Sequence, residues 1–244
     1  MDITTMQFID THVHLQDYKT NNTQQIVLKL RSLGFVKVVC VSAKVQDFAL
    51  VASLSESEKD LIIPAFGVHP WYLENLSDNW LDVLRQYLQK YKNAHIGESG
   101  VDRLHGGDMD KQIQILREQM RLADEFDRPI NLHILRAEDA FLSLKKDWPE
   151  RMVLHSFFGS KQFLEEMLKT KAFFALNPKM LNRSNTDELI KQIPIERLLT
   201  ESDAPYQADF EDIATLIERL AVIYDIKKEK LAEIVADNFK RLCE

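Results

Sequence analysis

Short apolar, β-branched runs alternate with amphipathic stretches along almost the whole chain of 244 residues. Eight such runs can be read, and apolar residues recur at helical spacing in most of the segments between them. This alternation predicts a parallel sheet, because parallel neighbours need a crossover that a helix supplies. The runs are MQFIDTHVH, FVKVVCVSA, LIIPAFGVHP, AHIGESGVD, RPINLHIL, RMVLHSFF, KAFFALN and RLLTESDAP.

The number of repeats decides between two α/β architectures. Eight repeats favour closure into a (β/α)₈ TIM barrel, ideal or distorted, which suits a length of roughly 250 residues. An open doubly wound sheet is the alternative, but it usually carries a Gly-rich phosphate loop after an early strand, and this sequence has none. We therefore expect one α/β domain over residues 1–244, with a first helix ending at Gly34 and one or two closing helices from about Phe210.

Net charge and cysteine usage limit the function classes. The formal charge of −7 argues against a protein that grips a long DNA duplex through many phosphates, but not against hydrolysis of an end or of a small ester. Cys40 and Cys243 lie too far apart in sequence to suggest a disulfide framework or a thiolate metal site, and they fit a reducing interior. No apolar run approaches the ~18 residues of a membrane span, and the N-terminus lacks signal-peptide features. The expectation is a cytoplasmic protein with no membrane association, and no obligatory protein partner is indicated.

Histidines and carboxylates collect where the predicted strands end. In a barrel these ends meet at one mouth, where catalytic residues lie. His12 and His14 project to the same side, since side chains alternate along a strand. Each residue alone has an ordinary structural explanation, as a hydrogen-bonded histidine or a turn aspartate. Seven such residues together favour one site: His12, His14, His69, Glu98, His133, His155 and Asp203.

This set of side chains has the composition of a metal site. Imidazole and carboxylate ligands without a thiolate suit zinc, manganese or magnesium. Glu98 lies on a run between the histidine groups, and its two oxygens can bridge two ions. Two metals roughly 3.5–4 Å apart can activate water and clamp the oxygen of a phosphoryl or carbonyl group. The residues therefore predict a hydrolase with two divalent metal ions, and leave the attacked bond open.

The ordered motifs DTHVHL, GVHP, GESGVD, LHI, HSF and SDAPY resemble those of the TatD-type metal-dependent deoxyribonucleases, a branch of the amidohydrolase-like TIM barrels. The resemblance runs from Phe8 to NFKRL near the end of the chain. It implies one metal held by His12, His14, Glu98 and Asp203, a second held by Glu98, His133 and His155, and His69 facing the substrate. Other amidohydrolase branches often bridge with a carbamylated lysine, so Glu98 favours this branch. The resemblance also implies 3′-to-5′ removal of nucleotides, with single-stranded DNA or DNA ends as the substrate.

The chain departs from the family pattern at two places. The family often has H-x-R after the fifth strand, whereas here Leu135 stands at that place and Arg136 follows it. The seventh run is FALNPKM, so contacts from Asn177 or Lys179 to a substrate differ from the usual glycine-containing segment. Substrate preference is least determined by the sequence at these points.

Individual roles follow from chemistry and position. Asp203 is expected to be both a ligand and the general base, and Glu98 the other catalytic carboxylate. Glu201 and Asp10, on the same strand faces as the ligands, either orient them or pair with other buried groups. Arg103 and Arg136 are either phosphate clamps or surface arginines. Four aromatic residues are left: Trp71, Tyr72 and Phe157 stack a base or pack their loops, and Tyr206 packs beneath the eighth loop.

Two other functions remain open. One is a dinuclear amidohydrolase or small phosphoester hydrolase acting on a metabolite, since the same metals polarise a carbonyl group equally well. The other is a non-catalytic barrel that binds metal or a partner, although such a protein would be expected to have lost a ligand.

Overall fold

The computed structural model describes residues 6–18, 23–182 and 186–244. Eight parallel strands form one sheet in the order of the sequence, which confirms the predicted (β/α)₈ barrel. The strands are β1 (Phe8–Val13), β2 (Phe35–Val41), β3 (Ile62–Phe66), β4 (His95–Asp102), β5 (Ile130–Leu135), β6 (Met152–Leu154), β7 (Phe173–Leu176) and β8 (Leu198–Thr200).

Helices connect successive strands and cover the outside of the barrel. The expected closing helices are α8 and α9, and Gly34 follows α1 with a φ of +94°, a backbone conformation that glycine adopts without strain. Asn21 and Asn22, which the helical pattern included, lie outside the described residues. The helices are α1 (Thr23–Leu33), α2 (Phe48–Ser57), α3 (Trp80–Lys90), α4 (Met109–Phe126), α5 (Glu138–Leu142), α6 (Lys161–Leu168), α7 (Thr186–Ile190), α8 (Ile213–Tyr224) and α9 (Lys228–Cys243).

Local sequence explains where the longer helices begin and end. The side chain of Asp108 accepts hydrogen bonds from the backbone N–H groups of Asp110 and Lys111 at the start of α4. Ser160 caps α6 in the same way through the N–H of Phe163. The packed faces are apolar, so helices and strands together bury a continuous core. None of the helices in the described part of the chain is long and apolar enough to span a membrane.

The seam between β8 and β1 is the distorted part of the barrel. Backbone ladders join the other neighbouring strands in parallel, from β1–β2 to β7–β8. At the seam the Thr11 hydroxyl donates to the Thr200 carbonyl at 3.1 Å, and the Thr200 hydroxyl donates to the Ile9 carbonyl at 2.7 Å. Just beyond the strands, the Asp203 N–H donates to the His12 carbonyl at 2.9 Å. The first strand is thereby fixed to the segment after the last.

His95 lies at the opposite end of β4 from the histidine-rich mouth and is 3% exposed. Burial lowers its pKa to about 3, because the charged imidazolium would lose its hydration there. The unfolded chain binds this proton below a pH of about 6.5 and the folded chain only below about 3. His95 therefore costs no stability above pH 6.5, and stability is lost as the pH falls through this window.

Replacing His95 by Gln should reduce the acid sensitivity of folding. Between pH 7.5 and pH 5, the free energy of unfolding of wild type should fall about 2 kcal/mol further than that of His95→Gln, at ~1.4 kcal/mol per pH unit. Urea unfolding at both pH values measures this difference, and the value at pH 7.5 gives the packing cost of the substitution itself. If the free energy of unfolding fell equally in the two proteins, His95 would be protonated in the folded state without destabilising it.

Candidate metal centre

Glu98 lies at the middle of a cluster of five histidines at the mouth of the barrel. One of its oxygens, Oε2, faces His12 in β1 and His14, which follows β1. Glu98 Oε2 is 3.6 Å from Nε2 of His12 and 3.5 Å from Nε2 of His14. These two imidazole nitrogens are themselves 3.2 Å apart. Three potential donor atoms thus face one small space.

The other oxygen of Glu98 faces a second group of histidines. Glu98 Oε1 is 3.3 Å from Nε2 of His69 and 3.1 Å from Nδ1 of His133. It is also 3.5 Å from Nε2 of His155. Each oxygen of this carboxylate therefore has its own set of imidazole nitrogens, as a bridging ligand requires.

Asp203 closes the cluster from the loop after β8. Its Oδ1 is 3.4 Å from Nε2 of His14, and its Oδ2 is 3.7 Å from Nε2 of His155. Gln207 donates to Oδ2 at 2.7 Å and holds the carboxylate in place. Asp203 has a φ of +54°, a left-handed conformation that aspartate adopts more readily than most residues. The structure thus brings together all six residues that were predicted as ligands.

Irregularities of the sheet aim these side chains. The register of β1 against β2 shifts between Asp10 and Val13, where His12 lies, and that of β4 against β5 shifts between Ile96 and Glu98. Such bulges turn a side chain away from regular alternation, and they are frequent beside active sites. Glycine at position 100 permits close pairing, because a Cβ there would lie 1.8 Å from the carbonyl oxygen of His133. This contact brings β4 and β5 together beside Glu98.

The cluster holds its carboxylates charged. Burial opposes ionisation of Glu98, but the surrounding imidazoles of His69, His12 and His133 outweigh it and keep the pKa of Glu98 well below its usual value. The pKa of Asp203 is lowered in the same way, against burial, by its hydrogen bond with His14. Burial is likewise overcome at His14, whose pKa rises to about 10 beside Asp203 and Glu98. A cation is therefore favoured between these carboxylates.

The donor atoms fit a divalent metal. Two ligand atoms that are each ~2.1 Å from one ion lie roughly 3.0–3.4 Å apart at octahedral or tetrahedral angles. The nitrogen–nitrogen and nitrogen–oxygen separations within the cluster, 3.1 to 3.7 Å, are close to this range. Donor atoms of His12, His14 and Glu98 lie within 4.8 Å of one another, as do those of His69, Glu98 and His133. The nitrogen and oxygen donors suit zinc, manganese or magnesium.

Glu201 and Asp10 support the cluster in different ways. Glu201 accepts a hydrogen bond from Nδ1 of His155 at 3.0 Å and from the backbone N–H of Ser156 at 2.7 Å, which fixes the orientation of the imidazole ring. Asp10 instead accepts from the backbone N–H groups of His12 at 3.1 Å and Ser202 at 3.0 Å and from the Ser202 hydroxyl at 2.5 Å. Burial raises the pKa of Asp10 to about 7. Asp10 thereby ties β1 to the segment that carries Asp203.

Asp102, the last residue of β4, is a member of the site that was absent from the predicted set. Its Oδ2 lies 3.3 Å from Nε2 of His133 and accepts a hydrogen bond from the indole Nε1 of Trp71 at 2.5 Å. The backbone N–H groups of Leu104 and His105 donate to its other oxygen. Its place at a strand end was a signal, because the predicted ligands occupy the same kind of position. Gln207 had no comparable signal, since it follows Asp203 in an irregular loop.

The predicted substrate-binding residues are not placed alike. His69 lies inside the cluster, with ring centroids 4.4 Å from His133. Arg103 donates from both terminal nitrogens to the carboxylate of Asp139, at 2.7 and 2.8 Å, and its guanidinium is committed to this pair. Arg136 is exposed and has a φ of +53°. Within the described ranges, its guanidinium has no hydrogen-bond or ion-pair partner, so it is the free cation of the two.

The segment after β7 takes part in the support of Asp203. Asn177 donates to the Ser156 hydroxyl at 2.6 Å, and Gln207 donates to the same hydroxyl at 2.9 Å. Asn177 is therefore linked to Asp203 through Gln207. Lys179 lies in the short 3₁₀ turn that follows.

The aromatic residues near the mouth differ in exposure. Trp71 and Tyr72 are exposed on the loop after β3. Phe157 is buried against Phe174 and packs its loop, which resolves the alternative stated for it in favour of packing. The expectation that Tyr206 packs beneath the eighth loop is wrong, because its side chain is largely exposed at the mouth after the turn at Asp203.

Comparisons with known proteins agree with the barrel fold. A model of the family described as TatD related DNase matches residues 9–244. The uncharacterized metal-dependent hydrolase YjjV of Escherichia coli (strain K12) is 30% identical over 93% of this chain and 93% of that protein. Its crystal structure superimposes with a TM-score of 0.87 over 96% of this chain and 97% of that chain, at 28% identity. The deoxyribonuclease TATDN3 of Homo sapiens is 25% identical over 96% of this chain and 93% of that protein. The 3′-5′ ssDNA/RNA exonuclease TatD of Erwinia tasmaniensis is 27% identical over 75% of this chain and 73% of that protein.

Proposed function

Since the chain belongs to the TatD related DNase family, we propose that it is a deoxyribonuclease that removes nucleotides from the 3′ end of single-stranded DNA by metal-dependent hydrolysis of phosphodiester bonds. One observation carries the proposal: each oxygen of Glu98 faces its own group of imidazole nitrogens, with Asp203 beside both groups. Such a two-part site suits a substrate whose attacking and leaving oxygens both need stabilisation.

We assign the ligands by position. His12, His14, Glu98 and Asp203 would hold one divalent ion, and Glu98, His133 and His155 a second. Nε2 of His69 lies 3.3 Å from Glu98 Oε1, close enough to orient this ligand of the second ion or to contact the substrate. Zinc, manganese and magnesium all fit nitrogen and oxygen donors. When bound, the two ions would polarise a phosphoryl oxygen and lower the pKa of the attacking water.

The protein side chains provide the proton transfer and the alignment. Asp203 is the general base: its Oδ2 takes the proton of the water, while the hydrogen bond from Gln207 keeps this oxygen pointed at the reaction space. Glu201 keeps the ring of His155 in the orientation that presents Nε2 to Glu98. Arg136, exposed and unpaired among the described residues, is the candidate contact for a substrate phosphate.

The nature of the substrate rests on the relatives and on charge. A protein with a net charge of −7 lacks the electrostatic grip for a long duplex footprint, whereas a strand end needs only local contacts. The free thiols Cys40 and Cys243 are consistent with work in a reducing compartment, which we take to be the cytoplasm. We take residues 1–244 to act as one domain, because all proposed ligands lie on a single barrel.

The test is a nuclease assay on metal-depleted protein and on protein reloaded with zinc, manganese or magnesium. A 5′-labelled single-stranded oligonucleotide should give a ladder of products shortened from the 3′ end, only after reloading. A small phosphodiester and a cyclic amide are assayed in parallel. Intact DNA together with turnover of the amide or the small ester would move the protein to metabolite hydrolysis. Bound metal with no turnover of any substrate would indicate a metal-binding protein without hydrolase activity.

A further inference from the structure

The exposed aromatic side chains gather at one end of the barrel. Among the described residues, the exposed Phe, Tyr and Trp side chains are Trp71 at 49%, Tyr72 at 41%, Phe158 at 43% and Tyr206 at 63%. They follow β3, β6 and β8, at the end of the barrel where Glu98 lies. Of the exposed aliphatic residues, Leu104 follows β4 at the same end, whereas Leu28, Leu50 and Val222 lie on the outer helices α1, α2 and α8. Aromatic exposure is thus specific to the mouth.

Trp71 is held rigidly despite its exposure. Its indole Nε1 donates to Asp102 at 2.5 Å. Its ring centroid is 5.0 Å from that of His69 at an interplanar angle of 87°, and 5.3 Å from that of His105. A side chain fixed by a hydrogen bond and two ring contacts loses little conformational entropy when a ligand covers it.

Tyr206 is held in a similar way on the other side of the centre. Its hydroxyl donates to Asp17 at 2.9 Å, and its ring lies 5.2 Å from that of His14 at an interplanar angle of 79°. His14 faces Glu98 Oε2, whereas His69, the neighbour of Trp71, faces Oε1. One fixed aromatic ring therefore borders each half of the cluster.

Few arginines at the mouth are free to bind the phosphates of a nucleic acid. The protein is acidic overall, and the guanidinium of Arg103 is already paired with Asp139, which leaves Arg136 as the free one of the two among the described residues. Aromatic faces hold unpaired bases without sequence preference, because each base has a π-face. A base inside a duplex stacks on its own neighbours and is not free to cover such a ring.

We propose that Trp71 and Tyr206 are stacking platforms for nucleobases on the two sides of the scissile phosphodiester, so that the substrate is an unpaired strand gripped mainly by its bases. This inference rests on the proposed function. It names the feature of the substrate that is recognised, and it assigns recognition to residues that hold no metal.

The test compares a normal single-stranded oligonucleotide with one that carries abasic residues on both sides of the terminal linkage. For reloaded wild-type protein, the abasic strand loses both contacts and should raise KM by about 30-fold or more. Trp71→Ala and Tyr206→Ala each remove one contact and should each raise KM for the normal strand by about 5- to 150-fold. Neither should change KM for the abasic strand, because the missing base already removes the contact. Trp71→Phe should restore part of the affinity, and Leu50→Ala, an exposed position on α2, is the matched control.

Metal content and duplex substrates complete the test. Both variants should retain the metal stoichiometry of wild type, and a blunt duplex should be a poor substrate for all proteins. Equal KM values of wild type for normal and abasic strands would overturn the stacking proposal while leaving the nuclease in place. Loss of metal, or an equal loss of rate on both strands, would mean that the rings only support the histidines. Absence of any DNA hydrolysis by wild type would instead refute the proposed function.

Discussion

Glu98→Gln is expected to lose metal-dependent hydrolysis by a factor on the order of 10³, and to bind fewer metal ions per chain. The reason is the position of this carboxylate between two sets of imidazole nitrogens, all within 3.1 to 3.6 Å of its oxygens. Glutamine keeps the size of the side chain but has one ligating oxygen, and its NH₂ group would face nitrogens that need a negative partner. The two halves of the site would lose their shared ligand.

The comparison needs metal analysis beside kinetics. Elemental analysis after dialysis gives ions per chain, hydrolysis of a labelled oligonucleotide gives the rate, and circular dichroism shows whether the barrel is folded. Glu233→Gln, on the exposed face of α9, makes the same chemical change away from the mouth and should match wild type. A Glu98→Gln protein with a full metal complement and wild-type rate would rule out the bridging role.

Asp203→Asn is expected to lower kcat by about 10²- to 10⁴-fold, the usual range for removal of a general base. Asparagine keeps the shape and tolerates the left-handed backbone conformation at this position. Its amide cannot take a proton from water. It also puts an NH₂ group either against the donating amide of Gln207 or against Nε2 of His14.

Asp225→Asn is a matched control for this substitution. Asp225 has a φ of +53°, next to +54° at Asp203, and is exposed at the end of α8. The control therefore repeats the same side-chain change in the same backbone conformation, outside the site. Single-turnover rates at saturating oligonucleotide report the chemical step. An Asp203→Asn protein that retains the wild-type single-turnover rate would show that another group accepts the proton.

The clustering of the candidate ligands could be predicted because it depends on few rules. A side-chain period of two puts His12 and His14 on one side of a strand, and a parallel barrel brings all strand ends to one mouth. His133, His155 and Asp203 then needed only a position at or just past a strand end. This prediction requires no loop conformation, and the structure brings these residues together.

Features that depend on loop conformation could not be predicted in this way. Phe157 and Phe158 are adjacent, yet one is buried and the other exposed. The left-handed turn at Ser156, with a φ of +46°, sets the path of the chain after β6, and the apolar pattern carries no sign of it. The sequence leaves Arg103 as a candidate phosphate clamp, because its partner Asp139 follows a different strand and the sequence does not show that the two side chains meet. The positions of the Tyr206 and Gln207 side chains depend in the same way on the left-handed turn at Asp203.

The threonine-bonded seam between β8 and β1 has a consequence for the order in which the molecule is assembled. His12 and His14 belong to the first strand, and Asp203 follows the last, so one half of the centre spans the seam. During synthesis the histidines emerge early, but their carboxylate partner arrives only after the seventh and eighth strands have been made. The complete ligand set therefore forms late, when the ring closes. An ion bound there favours the closed ring over any partly folded chain whose ends are still apart. If these residues bind a metal ion, we expect its capture to be coupled to completion of the barrel.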